Sequence, residues 1–296
     1  MALLVVLWII VAAALVVSAF NATVRSGVTF VGSEVQLSKT EALLDAGLEI
    51  AAARLIDEEE VRRWVPDGRP HRVAFAGAEL AIGIRDTSGH IDINKADKQL
   101  LMGLLRQFAG SEAKAGRLCD RILQVRAKAP GAKEKAAEQE LNSDGEPVAG
   151  PSADVPVFVD VAQLRGLEGM TAEVYAAVAP FLTVYSGDGR INPRAAPDEV
   201  LASIPRLTQS DIDKLRASAA APKESDGALS DIAQRVGAYL SNGAGPAYLV
   251  TVEVLRVDGG RGASAVYVVA PSLDAAAPYR LIAKRPAGTG QLSGAG

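Results

Sequence analysis

The first twenty residues constrain this chain more than any other feature. Met1 to Phe20 reads MALLVVLWIIVAAALVVSAF and carries no charged side chain. Twenty helical residues span roughly 30 Å, the thickness of a bilayer's hydrocarbon core. Ser18 can return its hydroxyl to a carbonyl inside the helix, so it costs little there. A removed secretory signal fits less well. No basic stretch precedes the apolar run, and Val17-Ser18-Ala19 is a poor cleavage site. The sequence therefore predicts a retained transmembrane helix over 1–20, with the rest of the chain as a body outside the bilayer.

That body has the make-up of an ordinary globular protein. Of 296 residues, 49% are hydrophobic and 22% charged, enough for one to three domains with a core. Lys and Arg total 31 against 35 Asp and Glu, a formal charge of −4. Such a balance speaks against a dedicated nucleic-acid binder, which needs a basic face. One cysteine, Cys119, excludes an internal disulfide framework, and two histidines, His71 and His90, are too few for a His/Cys zinc cluster.

No proline interrupts the chain before Pro66, and Asn21 to Arg63 is rich in helix-tolerant Ala, Leu, Glu and Arg. Val24, Val28, Val31 and Val35 recur at helical spacing, as do Leu44, Leu48, Ala51 and Leu55. One helix to about Arg63 is expected, lipid-like in its first third and amphipathic beyond. The valine stripe is its candidate face for docking on sister helices. His71 to Phe75 and Glu79 to Arg85 then read as a hairpin. β pattern returns at Tyr248 to Val257, Ala263 to Val269 and Tyr279 to Lys284, whereas Asp86 to Leu240 is mostly helical. Strands flanking a helical block predict an α+β sheet domain with an inserted all-α domain. The expected boundaries are 1–63 for the helix, 64–86 with 241–285 for the sheet domain, 87–240 for the insert and 286–296 for a mobile tail. Ala129 to Asp154 reads as a solvated loop.

The helical block contains an internal repeat. Gly89-His90-Ile91-Asp92-Ile93-Asn94-Lys95-Ala96 is matched by Gly189-Arg190-Ile191-Asn192-Pro193-Arg194-Ala195-Ala196, and each copy precedes a helix. Asp97 is the expected N-cap of the first, and Pro197 suits the first turn of the second. Helix pairs introduced in this way are similar to helix-hairpin-helix modules, which grip phosphates through backbone N–H groups of a glycine-rich hairpin. Arg206-Leu207-Thr208 and Gln107-Phe108-Ala109 lack such glycines, and Gly166-Leu167-Glu168 sets an acid where phosphate would approach. Packing is the favoured use of these helices, with a membrane-tethered DNA-uptake receptor as the alternative. Asp57-Glu58-Glu59-Glu60 reads as a solvated helix face, and Asp144-Gly145-Glu146 and Asp258-Gly259-Gly260 as turns rather than calcium loops. His90 and Cys119 read as structural. No nucleophile elbow, phosphate loop or dinucleotide fingerprint occurs, so no enzyme and no cofactor are expected, while calcium binding is left open by the sequence.

The start Met-Ala-Leu-Leu-Val-Val-Leu, the two Gly-Xaa-Ile-(Asn/Asp) repeats, Phe158-Val159-Asp160-Val161-Ala162-Gln163-Leu164 leading to Gly169-Met170-Thr171, and Pro180-Phe181-Leu182-Thr183-Val184-Tyr185-Ser186 together resemble general secretion pathway protein K. This is the family of large minor pseudopilins of type II secretion systems, and the likeness runs from Met1 to about Val269. It implies a pilin-like long N-terminal helix on a small antiparallel sheet, with a large inserted all-α domain of helix-hairpin-helix or SAM-like kind. It also implies a bacterial inner-membrane protein, single-pass, with its body in the periplasm. The implied partners are other minor pseudopilins in a tip complex, the major pseudopilin below, the inner-membrane secretion machinery and the prepilin peptidase, with no nucleic acid. Processing after a glycine and methylation would fall on Met1. The sequence shows no basic leader, so Met1 is either the processed residue or the residue that follows a leader left out. Most pilins have a glutamate at the fifth mature position; here it is Val5. Without that acid the chain has nothing buried with which to pair the amine of a subunit above it, which suits the end of a filament.

Overall fold

A computed structural model describes residues 8, 37–57, 59–128, 156–220, 226–255, 261–274 and 277–286. Helix α1 covers 37–55. It is followed by β1 (His71–Phe75) and β2 (Ala78–Asp86), joined by a two-residue turn whose Ala76 and Gly77 have φ of 49° and 76°. Positive φ at both positions is what a type I′ hairpin turn requires. After a long helical excursion come β5 (Tyr248–Leu255), β6 (Arg261–Asp274) and β7 (Ala277–Pro286). Together they form a five-stranded sheet in the order β1-β2-β5-β6-β7, every neighbouring pair antiparallel. All five strands overlap the expected segments, but β6 is longer at both ends, taking in Arg261 and Gly262 of the expected turn and running on from Val269 to Asp274.

Alternation gives the sheet one apolar face. Leu80, Ile82 and Ile84 of β2 point the same way as Val250 and Val252 of β5 and Ala265, Tyr267 and Val269 of β6. On this face lie Leu43, Leu44, Leu48 and Ala51, one stripe of α1. Gly47 brings the helix close, because a Cβ there would stand 2.4 Å from Cγ1 of Val252. Polar bonds hold the rim. Asp45 accepts from the Tyr267 hydroxyl and the Lys284 ammonium, both at 2.8 Å, and Glu49 accepts from the Tyr279 hydroxyl at 2.6 Å. Burial of the rings, and then these acids, push both tyrosines up, Tyr279 to about 12.

The helix stops earlier than its composition predicts. Its last residue is 55, not about Arg63, because Asp57 and its neighbours organise a turn. Asp57 accepts the Glu59 N–H at 3.1 Å and lies 3.6 Å from Arg54 and 3.5 Å from Arg62. The Trp64 N–H reaches back to the Arg54 carbonyl at 3.0 Å, and the indole stacks on His71 with ring centres 4.1 Å apart. Side chains that bond nearby backbone compete with the helix in this way. Asp57, Glu59 and Glu60 of the acidic run therefore lie beyond the helix and not on a helix face.

Between β2 and β5 the chain builds a second core. In order come β3 (Ile91–Asp92), α2 (Lys98–Phe108), α3 (Glu112–Lys128), a 3-10 turn (Val161–Gly166), α4 (Ala172–Val178), β4 (Leu182–Thr183), α5 (Asp198–Ala202), α6 (Gln209–Ala220) and α7 (Asp226–Val236). Ile91, Ile93, Leu100, Leu101, Leu104, Leu105, Leu118 and Ile122 join Val200, Leu201, Ile204 and Ile232 in a cluster that shares no buried residue with the first. Composition did not reveal the parallel pair β3–β4, whose two-residue strands are too short to show a period. The Ala129 to Asp154 loop lies outside the described residues. Pro286, expected as the first residue of the tail, is the last residue of β7, and the Arg285 guanidinium before it is paired with Asp160.

Candidate functional site

The two repeat loops meet face to face at the centre of the helical body. In the first, Asp92 accepts the Asn94 N–H at 2.8 Å; in the second, Asn192 accepts the Arg194 N–H at 3.0 Å. An arginine from the second helix of each unit closes the loop. Arg126 of α3 donates to the carbonyls of Ile93 (2.5 Å) and Ala96 (2.7 Å), and Arg216 of α6 to those of Pro193 (3.3 Å) and Ala196. Each unit then ends alike: a helix, a 3-10 turn and a short parallel pairing back onto its own start. Ile91 pairs with Leu182, and Ile191 with Leu240. The match extends to the anchoring bonds, since Asp92 takes the Gly187 N–H at 3.0 Å while Asn192 donates to the Gly243 carbonyl at 3.1 Å.

Both repeat glycines exist for this contact. A Cβ on Gly89 would lie 2.3 Å from the Ala195 backbone, and one on Gly189 would lie 2.6 Å from the Lys95 carbonyl oxygen. Each repeat thus seats on the loop of the other, an approach only glycine permits. The caps are as expected at Asp97, which accepts from the Gln99 N–H at 2.6 Å. Pro197 sits one place earlier than expected, at the N-cap of α5 itself.

The helical hairpins correct one expectation. Their turning residues are Gly110, Gly169 and Arg206, with φ of 75°, 89° and 63°. The first hairpin therefore does contain a glycine at its turn, one residue beyond the Gln107-Phe108-Ala109 stretch. Two donors beside it, the Lys114 N–H and the Arg106 guanidinium, are engaged within the chain. Ser111 caps α3 by accepting the Lys114 N–H at 3.3 Å, and Arg106 pairs with Glu112 across the turn at 2.5 Å. At the third hairpin a carboxylate stands where an anion would bind. Asp211 accepts the Thr208 N–H at 3.0 Å and its hydroxyl at 2.8 Å, and Arg235 at 2.7 Å. These bonds hold the carboxyl down at about 2. Thr208-Gln209-Ser210-Asp211 is a capping-box pattern, a signal legible in the sequence but not used there. An internal acid in this position speaks against a phosphate ligand and for packing.

Among the described residues, two attachments hold the helical body to the sheet. The first is the seam where the chain leaves β2 and returns to β5. The buried Asp86 carboxylate accepts the N–H groups of Ser88 (2.8 Å) and Gly245 (2.9 Å), and Thr87 donates its hydroxyl to the Ala247 carbonyl at 2.7 Å. His90 lies just inside, 2% exposed, with Nδ1 3.3 Å from the Asp86 carbonyl oxygen. Burial and the nearby Arg85 push its imidazole down to about 4, so it is neutral at ordinary pH. The second attachment is the double contact of Arg285 with both oxygens of Asp160, each at 2.9 Å. Asp160 also caps the 3-10 turn Val161–Gly166.

Of the residues singled out from sequence for processing and docking, Met1, Val5, Val24, Val28, Val31 and Val35 all lie outside the described residues. The amphipathic stripe Leu44, Leu48, Ala51 and Leu55 is described, and it faces the protein's own sheet rather than a sister helix. Leu37, at the start of α1, remains 67% exposed. Among the described residues no helix is long and apolar enough to cross a membrane. The expected span 1–20 falls outside them except for Trp8. Nor do the described residues gather three or more His, Cys, Asp or Glu side chains able to hold a metal ion. Cys119 is buried on α3, its thiol pushed up by that burial.

Residues 81–187 match the family model for type II secretion system (T2SS) protein K, first domain. The fold matches a chain in the crystal structure of the GspK-GspI-GspJ complex from the type 2 secretion system of enterotoxigenic Escherichia coli. The TM-score is 0.52 at 12% identity, over 88% of this chain and 99% of that one. At this identity the likeness speaks for the fold. No curated protein sequence matches the chain.

Proposed function

We propose, from the premise that this chain belongs to the type II secretion system protein K family, that it is the minor pseudopilin that caps the tip of the pseudopilus and helps to initiate its assembly. Its place in such a system is the cell envelope. In this reading 1–20 anchors it in the inner membrane, with Met1 the processed and methylated residue, and the body stands in the periplasm. Val24, Val28, Val31 and Val35 dock on the helices of other minor pseudopilins; partners of that kind are supported by the likeness to a chain of a GspK-GspI-GspJ assembly. The major pseudopilin lies below.

The observation that carries the tip position is the helical body inserted between β2 and β5. It has its own core and sits where a pilin-like sheet would otherwise have a hairpin, since Asp86 and Tyr248 are register partners. A body of that size obstructs a subunit stacked above it, and Val5 lacks the acid that such a subunit's amine would need. Neighbours below are permitted and neighbours above are not. Gold-labelled protein in overgrown filaments should therefore appear at one end, one copy per filament. Label at regular intervals along the shaft would sink this reading.

A further inference from the structure

The two attachments of the helical body to the sheet differ in what they contain. The Asp160–Arg285 contact is an open ion pair at the sheet's edge, with the Asp160 side chain 29% and the Arg285 side chain 36% exposed. At the seam the outgoing crossing 86–90 is closed to water, whereas Asn242, Gly243, Ala244 and Pro246 of the returning crossing are exposed. Asp86, Thr87, Ser88 and His90 are all buried there. Gly245 is forced against them, with a Cβ position only 2.6 Å from an Asp86 carboxylate oxygen. Within this packed seam two polar atoms, Nε2 of His90 and Oγ of Ser88, have no hydrogen-bond partner in the protein. The imidazole is thus held by a single contact, Nδ1 to the Asp86 carbonyl.

The charges acting on His90 come from β2. Arg85, largely buried itself, opposes a second positive charge, and the Asp86 carboxylate favours it more weakly. The returning crossing 241–247 reads Ser-Asn-Gly-Ala-Gly-Pro-Ala and contributes no ionisable side chain. Asn192, whose N–H meets the Ser88 carbonyl at 2.8 Å, is neutral. A proton added to Nε2 would therefore create a buried N–H donor with no acceptor, next to a guanidinium. Such a group is costly to keep in place.

We propose that the seam is an acid-released hinge: protonation of His90 opens the 86–90 and 241–247 crossings, and the helical body then pivots on the Asp160–Arg285 contact while both apolar cores stay closed. The sign follows from the imidazole's position. In the open seam it titrates near 6.5, and in the closed seam only near 4. The open form thus takes up a proton that the closed form refuses, so opening grows as pH falls between those values and levels off below the lower one. A separation of that size allows a shift in the opening equilibrium of roughly a hundredfold. The hinge does not depend on the tip position.

Hydrogen exchange on the full chain in neutral detergent, resolved to peptides and corrected for intrinsic rates, tests it. From pH 7 to pH 4 the peptides over 86–90 and 241–248 should lose protection by roughly a hundredfold. Peptides of α2 and of β5 beyond Val250 should change little. In His90→Gln, which keeps a polar side chain but cannot titrate, the loss at the seam should be at most about tenfold. Loss of protection everywhere at once, or an equal loss at the seam in His90→Gln, would overturn the hinge. Should His90→Gln fail to fold, the imidazole's own NMR titration in the unaltered chain decides. An imidazole that stays neutral down to about pH 5 and titrates together with the seam amides supports the hinge, and one that titrates near 6.5 ends it.

Discussion

Of three glycines in this chain, two are set by close backbone approach and the third by no neighbouring atom, and substitutions there separate the cases. At Gly89 and Gly189 the demand is close approach to backbone that cannot yield: the Ala195 peptide at 2.3 Å and the Lys95 carbonyl at 2.6 Å. Gly89→Ala and Gly189→Ala should each cost about 2 to 3 kcal/mol, since overpacking here displaces a whole loop. Gly116, inside α3, has nothing nearer to its Cβ position than Met102 Cε at 3.9 Å. Gly116→Ala should instead raise stability by about 0.5 to 1 kcal/mol through helix propensity. Urea unfolding midpoints of the three variants check this, and equal effects would refute the reciprocal seating of the repeats. The sequence made the repeat itself legible, because Gly-Xaa-Ile followed by Asp or Asn recurs intact. It did not show that each glycine serves the other copy. Arg126 and Arg216 were hidden for a related reason, since α3 and α6 differ in length and put the two arginines at unequal distances from their loops.

The same reasoning moves up to the contact between α1 and its sheet. Gly47 lets the helix settle onto Val252, whose Cγ1 would meet an added Cβ at 2.4 Å. Gly47→Ala alone should destabilise by about 1 to 3 kcal/mol. Val252→Ala alone opens a cavity under the helix and should cost a similar amount. Combined, the new methyl fills the space the valine leaves, so the double variant should be at least about 1 kcal/mol more stable than the two losses added. Thermal or urea denaturation of the four proteins gives the coupling, and strict additivity would mean that the helix does not seat there. Element positions were readable where a period runs long enough. Leu80, Ile82 and Ile84 alternate, and Leu44, Leu48, Ala51 and Leu55 recur at helical spacing. The end of α1 was not, because Asp57 and Trp64 terminate it through contacts with Arg62 and His71 that composition cannot express. The pair β3–β4 was invisible for want of length.

At the scale of the molecule, the question is whether the helical body and the sheet are separate folding units. Their cores share no buried residue, and the chain passes between them only at the seam. Asp86 and Tyr248 are paired in the β2–β5 ladder, and Thr87 N–H lies 3.2 Å from the Ala247 carbonyl oxygen. The helical body therefore occupies the place of a hairpin loop, which makes its removal a well-defined operation. Replacing 87–247 with Asn-Gly, a pair suited to a type I′ turn, should rejoin β2 to β5 without altering register. The remaining sheet keeps α1 and the whole cluster from Leu43 to Val269, so it should still unfold in one cooperative transition. It should be less stable than the full chain, having lost the Asp160–Arg285 contact and the seam bonds to Asp86. Circular dichroism should retain the β signal while losing most of the helical one. A product without a cooperative transition, or one digested as readily as an unfolded chain, would mean that the sheet depends on the helical body. The idea of a pilin-like platform carrying an independent cap would then have to be given up.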